Sequence, residues 1–318
     1  MEILMHEPLG KHAFYGVGGP ADEFWNVDTS EKFGEIWAET IALGMPKLIL
    51  GKGSNLLMSD KGFRGRVFCF TFDSVKFSPF PGAKREGVLV TVEAGKNWQA
   101  FVEETNEHGF EDLCNLSGIP GNVGGFVRGN AGAFGIETSD FVKSVEYIDE
   151  SGMVQRCTTK DCQFAYRESI FKSHPDWCIT KVTFELTKKA DSNKALEQTR
   201  TLLADRWKKY PPGKSGGSFF KNPSPSGDAL SEAEGPLNNE PLFAGKLLEE
   251  AGAKGDRIGH AQIAEKHANF ILNLEGKATQ EDILSLARKW KDVIKRDTGI
   301  ELQPEIFICD EFGGEISL

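Results

Sequence analysis

The chain has 318 residues, 39% of them hydrophobic and 26% charged, which is an ordinary globular composition and a length for about two or three compact domains. Its formal net charge of −10 leaves no basic excess to neutralise phosphates, which argues against a nucleic-acid partner while a local basic pocket for a small anion is allowed. No stretch approaches the roughly 20 consecutive apolar residues of a membrane-spanning helix, so no membrane partner is expected.

In chain order, FWNV at 24–27 reads as a short strand. Residues 30–43 place Phe33, Ile36, Trp37 and Ile41 at near-helical spacing. PKLILGKGSNLL at 46–57 runs from an apolar strand into a glycine-rich turn, and RVFCFTF at 66–72 alternates as a strand does. Residues 71–190 are β-rich: GVLVTVEAG at 87–95, FVKSVEYIDESG at 141–152 with its turn at 150–152, and WCITKVTFELT at 177–187. Among them, WQAFVEETNEHGF at 98–110 is a helix with Trp98, Phe101 and Val102 on one face. Residues 194–209 form a helix that Pro211 and Pro212 end. PPGKSGGSFFKNP at 211–223 is a glycine-rich loop feeding Phe219 and Phe220, and 223–241 is an exposed loop rich in Pro, Gly, Ser and acidic residues. AGKLLEEAG at 244–252 is a helix and ANFILNL at 268–274 a strand. A long last helix starts at Thr279, capped with Asp282, and carries the stripe Ile283, Leu286, Ala287, Trp290, Val293 and Ile294. There is no internal repeat.

Two glycine motifs carry the first chemical information. GKGSNLL at 51–57 follows an apolar strand, and such a turn exposes backbone N–H groups that can cradle a pyrophosphate. The dinucleotide fingerprint of the Rossmann fold does not fit, because Leu56 stands where its third glycine belongs, and a Walker A motif is absent. SGIPGNVGGFVRGNAGAFG at 117–135 holds Gly118, Gly121, Gly124, Gly125, Gly129, Gly132 and Gly135, a backbone that must pass close to something flat or bulky and is no regular helix throughout. The six cysteines include no CxxC pair, and His260 and His267 have no partners at metal-ligand spacing, so no metal is expected. MEILMHEPLG has no basic region followed by an apolar run, so a cytoplasmic location with free thiols is expected.

At this point the ordered motifs resemble the UDP-N-acetylenolpyruvoylglucosamine reductase family of peptidoglycan-precursor synthesis. GKGSNLLMSDKGFRG and GIPGNVGGFVRGNAGAFG resemble its two flavin-loop signatures. FAYRESIFK at 164–172, GGSFFKNP at 216–223, AGKLLEEAGAKGDRIGHAQIAEKHANFILN at 244–273 and LQPEI at 302–306 match further segments in order, from Pro8 to Ile308. The resemblance implies an α+β fold: a vanillyl-alcohol-oxidase-type FAD-binding region of two subdomains (1–70 and 71–210), a separate α+β C-terminal substrate-binding domain (211–310) and a tail (311–318). It implies FAD and NADPH as cofactors and a monomer. The implied reaction passes a hydride from NADPH to FAD, then from flavin N5 to C3 of the enolpyruvyl ether of UDP-N-acetylglucosamine. A proton reaches C2 and UDP-N-acetylmuramate results.

Hydride addition beside a carboxylate builds enolate-like charge, which a guanidinium can hold bidentately, and a second group must deliver the proton. The resemblance places Arg167 on that carboxylate, Ser218 as proton donor, and Glu305 across the same carboxylate, either protonated or acting through a bridging network. It assigns Gly51, Lys52, Gly53, Ser54, Asn55, Leu56, Ser117, Gly118, Pro120, Gly121, Gly124, Gly125, Asn130 and Gly132 to the flavin. Tyr166, Lys221, Asn222 and His267 go to the nucleotide-sugar substrate. Taken singly, Arg167 reads as a surface ion-pair residue, Ser218 as a loop or capping serine, and Glu305 as a solvated strand-end acid; their joint placement reverses this. The chain also departs from the family. Gly16 of FYGVGG stands where a basic residue is usual, leaving Lys11 or His12 to replace it, and Arg128–Gly129 precedes Asn130 where less charged residues are usual. The stretch between Arg167 and Ser218 lacks the insert that carries a substrate-capping tyrosine, so the chain resembles the short subtype, with closure of the C-terminal domain left to make the lid. The alternatives are another FAD-linked oxidoreductase of the same fold, against which GSFFKNP and EKHANF stand, and a non-catalytic nucleotide-sugar binder, against which the retained Arg167, Ser218 and Glu305 stand.

Overall fold

The computed structural model describes residues 1–80, 86–223 and 242–318. The chain opens with β1 (Glu2–Pro8), β2 (Pro20–Val27), α1 (Phe33–Ala42) and β3 (Lys47–Leu50). The glycine turn then leads to β4 (Leu56–Leu57) and β5 (Phe63–Phe70). β6 (Val75–Pro79), β7 (Val88–Glu93), α2 (Trp98–Glu107) and α3 (Val123–Arg128) follow. A small hairpin of β8 (Gly132–Ala133) and β9 (Ile136–Glu137) precedes β10 (Val142–Ile148), β11 (Val154–Thr158), α4 (Ile170–Ser173), β12 (Cys178–Leu186) and α5 (Ser192–Lys209). The remainder is α6 (Ala244–Glu250), β13 (Arg257–Ile258), β14 (Ala261–Ile263), β15 (Ile271–Asn273), α7 (Gln280–Thr298) and β16 (Phe307–Ile308). Each helix and strand read from the sequence is present, and six-residue α3 sits inside the glycine-rich stretch that could not be helical throughout. The loop expected over 223–241 lies, from residue 224 on, outside the described residues. β1, β2, β5 and β3 lie side by side in one sheet in that order.

Two compact units interleave in the sequence: residues 1–3, 25–51 and 67–208 make the first, and residues 4–24, 52–66 and 209–318 the second. Residues 4–24 and 52–66, which a linear division places in a first subdomain, thus cluster with the C-terminal third of the chain.

The first unit is built on a five-stranded antiparallel sheet in the order β11-β10-β12-β7-β6. Alternation decides its faces. Val88, Val90 and Val92 of β7 are buried while Leu89, Thr91 and Glu93 are not, and the register sets Val92 beside Val182 and Val90 beside Phe184. α2 lays Trp98, Phe101 and Val102, each 0% exposed, against that face. Trp98 stacks on Phe126 of α3 with ring centroids 3.9 Å apart, and its indole N–H donates to Leu116 O at 3.2 Å. One buried tryptophan so joins both helices to the sheet; burying a side chain of this size stabilises by roughly 1.5–3 kcal/mol. α1 adds Phe33 and Trp37 to the same core through Phe68 and Phe70.

The second unit has its own core, made by the stripe of α7 with Tyr15, Val17, Leu57, Phe219, Phe220 and Ile308. β13, β14 and β15 form an antiparallel sheet, and β4 pairs in parallel with β16, Leu56 beside Phe307 and Leu57 beside Ile308. Thr279 and Asp282 form the expected capping box: Asp282 N donates to Thr279 Oγ1 at 3.0 Å and Thr279 N to Asp282 Oδ2 at 3.1 Å. Gly299, at φ 76°, ends α7 in the left-handed region that only glycine enters at little cost. Among the described residues no helix is long and apolar enough to cross a membrane.

Candidate active site

In the first unit the second glycine loop is laid along the chain that follows β7. Gly124 N donates to Ala94 O at 3.0 Å, Val123 N to Lys96 O at 2.9 Å and Trp98 N to Gly121 O at 3.0 Å. The glycines in this loop do different jobs. A Cβ on Gly124 would stand 3.0 Å from Ala94 Cβ, so Gly124 allows the loop to lie on its own scaffold. A Cβ on Gly125 would meet nothing within 4 Å, and one on Gly51 would meet only Asn122, at 3.8 Å. Gly118, at φ 79°, is fixed by a bond from its N to Gln99 Oε1 at 2.9 Å, and Pro120 is exposed. Ser117 Oγ and Asn122 Oδ1 are buried without a hydrogen-bond partner among the described residues. Leaving such atoms unmet costs about 1–3 kcal/mol each. Open space at Gly51 and Gly125, with Asn122 beside Gly51 and the unmet polar atoms of Asn122 and Ser117 in the same glycine-rich loop, fits a cofactor that presents phosphate or ribose oxygens, so these residues suit FAD.

Arg167 lies in the same unit and is held from several sides. Its Nη2 donates to Gly132 O at 3.0 Å, its Nη1 lies 3.7 Å from Glu137 Oε1, and its guanidinium sits 4.7 Å over the ring of Tyr166. Its side chain is only 15% exposed, unlike a surface ion-pair residue. Arg167 also has φ 57°, a conformation that costs a non-glycine residue about 1–3 kcal/mol and that clusters at functional sites. The β8–β9 hairpin supplies two partners of the guanidinium, since Gly132 and Glu137 are paired across it. Asn130, buried and at φ 41°, ties that hairpin to the arginine's segment: its Nδ2 donates to Glu137 Oε2 at 2.6 Å and Ala165 O at 3.0 Å, and its Oδ1 accepts from Ser139 N at 3.0 Å. The side chain of Asn130 is therefore spent on internal partners. Arg128, which ends α3, accepts through its carbonyl from Ser169 Oγ at 2.7 Å.

The second unit brings together Ser218, Lys221, Asn222, Glu305 and the first glycine loop. Ser218 bridges to Phe270 and Phe220 to Pro304, while Glu305 N donates to Phe219 O at 2.8 Å and Lys221 N to Gln303 O at 2.8 Å. The serine segment is thus sandwiched between 269–270 and 303–305. Asn269, 3% exposed, fixes its register: Asn269 Oδ1 accepts from Phe220 N at 2.9 Å and Asn269 Nδ2 donates to Phe220 O at 2.8 Å. Asn55 joins the same seam, its Nδ2 donating to Glu305 O at 3.0 Å and its carbonyl accepting from Phe307 N at 3.0 Å. Gly53, at φ 62°, admits no side chain, because a Cβ there would fall 2.1 Å from His12 O. Lys52, Ser54 and Leu56 complete this turn. Asn269 and Asn122 are the residues sequence reasoning missed; each stands inside a quoted motif, and its polarity between apolar or glycine neighbours is the signal.

A cavity of about 390 Å³ in the second unit is lined by Asn222, Phe243, Gly245, Lys246, Glu249, Lys266, His267, Ala268 and Asn269. Burial pushes the His267 imidazole below its ordinary value, so it is neutral at the wall. Asn222 Oδ1 accepts from Ala244 N at 3.2 Å at the start of α6. Near Gly16, the candidate replacements Lys11 and His12 both face Glu7, at 3.6 and 3.0 Å. Instead the side chain of Lys214 fills the place of a Gly16 side chain, its Nζ 2.9 Å from where that Cβ would be. Among the described residues no group of His, Cys, Asp or Glu could hold a metal ion.

Comparison with known proteins places these features. The family model for the UDP-N-acetylenolpyruvoylglucosamine reductase C-terminal domain matches residues 208–309, and that for an FAD binding domain matches residues 23–158. The UDP-N-acetylenolpyruvoylglucosamine reductase of Lachnoclostridium phytofermentans is 34% identical over 97% of this chain and 93% of its own. That of Solibacter usitatus is 36% identical over 96% of each. The crystal structure of UDP-N-acetylenolpyruvylglucosamine reductase from Thermus caldophilus superposes with a TM-score of 0.72 at 32% identity, covering 96% of this chain and 98% of that one. The architecture is an α+β FAD-binding domain with an α+β C-terminal domain.

Proposed function

This chain belongs to the UDP-N-acetylenolpyruvoylglucosamine reductase family and is an FAD-dependent oxidoreductase, and we propose that it reduces UDP-N-acetyl-3-O-(1-carboxyvinyl)-glucosamine to UDP-N-acetylmuramate with NADPH. FAD, when bound, supplies the hydride for C3 of the enolpyruvyl group. The observation that carries the reading is the seam in which Ser218 and Glu305 are held by Glu305 N→Phe219 O at 2.8 Å and locked in register by Asn269. A small hydroxyl followed by two fully buried phenylalanines is a proton donor on a rigid, water-excluding mount. Arg167, clamped by the hairpin carbonyl and stacked on Tyr166, holds the substrate carboxylate and stabilises the charge that develops there. Glu305 acts on the same carboxylate. Ser117, Asn122, Gly51 and Gly125 shape the flavin site, and Asn222 with His267 line a cavity whose size suits part of a nucleotide.

The test is rapid mixing of the two half-reactions. Ser218→Ala is expected to lower turnover by about 10²–10⁴-fold and Ser218→Cys to keep part of the activity, with flavin content and reduction by NADPH nearly intact. Arg167→Gln should slow oxidation of the reduced enzyme by the enolpyruvyl substrate far more than its reduction by NADPH. Equal damage to both half-reactions, or Ala and Cys variants that behave alike, would remove these roles.

A further inference from the structure

Two of the six free thiols lie side by side: Cys157 Sγ and Cys162 Sγ are 3.3 Å apart. Cys157, in β11, is paired with Val145 of β10 and partly exposed, while Cys162 is 0% exposed. The turn between them is bonded in place. Asp161 accepts from Thr158 N at 2.9 Å and from Thr158 Oγ1 at 2.6 Å, and Cys162 N donates to Thr158 O at 3.1 Å. Beyond Cys162 the chain makes the loop of Arg167. Ile170 N donates to Cys162 O at 2.8 Å and closes that loop, and inside it Ala165 N donates to Glu168 O at 3.1 Å and Glu168 N to Ala165 O at 2.9 Å. Arg167 stands within this tight turn at φ 57°. Cys162 is therefore one thiol of the pair and also the base of the arginine's loop.

We infer that Cys157 and Cys162 close to a reversible disulfide when the protein meets a hydroperoxide, and that this bond shifts the Arg167 loop and slows the reaction with the enolpyruvyl substrate; the second half rests on the function proposed above. The Cys157 sulfur attacks a peroxide oxygen, the O–O bond breaks, and one water leaves with a sulfenic acid on Cys157. The Cys162 sulfur then displaces the hydroxyl as a second water, and the S–S bond forms. Two S–H groups lose two protons and two electrons, and hydrogen peroxide is reduced to two waters. Cys157 is suited to start: it is the accessible partner, and the hydrogen bond from Cys162 holds its thiol below the ordinary value. Cys162, bonded to Cys157 and buried, is held well above. A disulfide needs its sulfurs at about 2.05 Å, so the pair must draw together by about an ångström from 3.3 Å, and the carbonyl that closes the arginine's loop belongs to one of the two residues that must adjust. A displacement of about 1 Å at a positioning group can cost about 10²-fold in rate.

The flavin-loaded enzyme is exposed to stoichiometric hydrogen peroxide, quenched with catalase, denatured and titrated for thiols. Four of the six should remain, peptide mapping should show the 157–162 link, and dithiothreitol should return all six. Oxidation of the reduced enzyme by the enolpyruvyl substrate should fall by about tenfold or more and recover with dithiothreitol, while flavin content and reduction by NADPH stay the same. Cys157→Ser should abolish both the link and the peroxide effect, and Cys162→Ala provides a second variant of the same kind. A missing link in active enzyme, a link with unchanged rates, or a Cys157→Ser enzyme as sensitive as the parent overturns the inference. The thiol count needs no substrate, so protein that never acts on the enolpyruvyl compound but still forms the link refutes the proposed function, and with it only the rate effect.

Discussion

Gly124 and Gly125 are neighbours with opposite surroundings, and a substitution at each should report a different property. A Cβ on Gly124 runs into Ala94, whereas one on Gly125 meets open space beside the candidate flavin site. The sequence alone makes a branched residue at Gly124 the one to expel the flavin; the geometry moves that expectation to Gly125. Gly124→Val should lower the melting temperature of the flavin-free protein, since overpacking costs about 1–3 kcal/mol. Gly125→Leu should leave that temperature nearly unchanged and weaken FAD binding in a fluorescence titration. Loss of FAD affinity at Gly124 with no loss of stability would reverse the assignment. His267 gives a pH prediction at the same scale. Its unfolded ring titrates near the ordinary 6.5 and burial depresses the folded value, so between these values the unfolded chain binds more protons. Its contribution is present above 6.5 and lost as pH falls through the folded value. His267→Asn should therefore lose less melting temperature than the parent on acidification from about pH 7 to about pH 5.

Among the elements, the β8–β9 hairpin matters out of proportion to its four paired residues, because it presents Gly132 O and Glu137 to Arg167. Asn130→Ala removes three hydrogen bonds that tie the hairpin to the arginine's segment, at a cost of about 1–3 kcal/mol for each buried group left unmet. It should lower the melting temperature and slow the half-reaction with the enolpyruvyl substrate more than that with NADPH. A variant with normal kinetics on both sides would show that the arginine holds its place without the hairpin. Elements of this kind were not legible in the sequence. β8, β9, β13 and β14 are two or three residues long, too short for any period to show. β1 and β11 are exposed along most of their length, so no hydrophobic alternation marks them. α2 and α7 were legible because each has a continuous apolar stripe in its own sequence, and α7 also has a start signal at Thr279.

At the scale of the whole molecule, the interleaving of the two units has a consequence for folding. The core of the second unit takes Tyr15, Val17 and Leu57 from the first fifth of the chain, and β16 needs β4 as its partner. A fragment of residues 209–318 lacks all of these and should show weak near-ultraviolet dichroism and no cooperative melting, whereas the full chain should melt cooperatively. A cooperatively melting fragment would show that those three residues are dispensable. The sequence by itself determined what is carried by local order: the glycine loops, the strand and helix periods, the capping box, and the ordered segments that resemble the family. It also named Arg167, Ser218 and Glu305, because their neighbours in the chain are the motif. Tertiary structure alone decided which way each loop glycine faces, that Asn130 and Asn269 spend their amides on holding the arginine and serine segments, that Lys214 fills the space at Gly16, and that Cys157 meets Cys162. The physical reason is the same in each case. A periodic pattern reports which side of an element is buried, but the direction of a Cβ in an irregular loop and the partner of a polar side chain depend on atoms that the chain brings near only by folding.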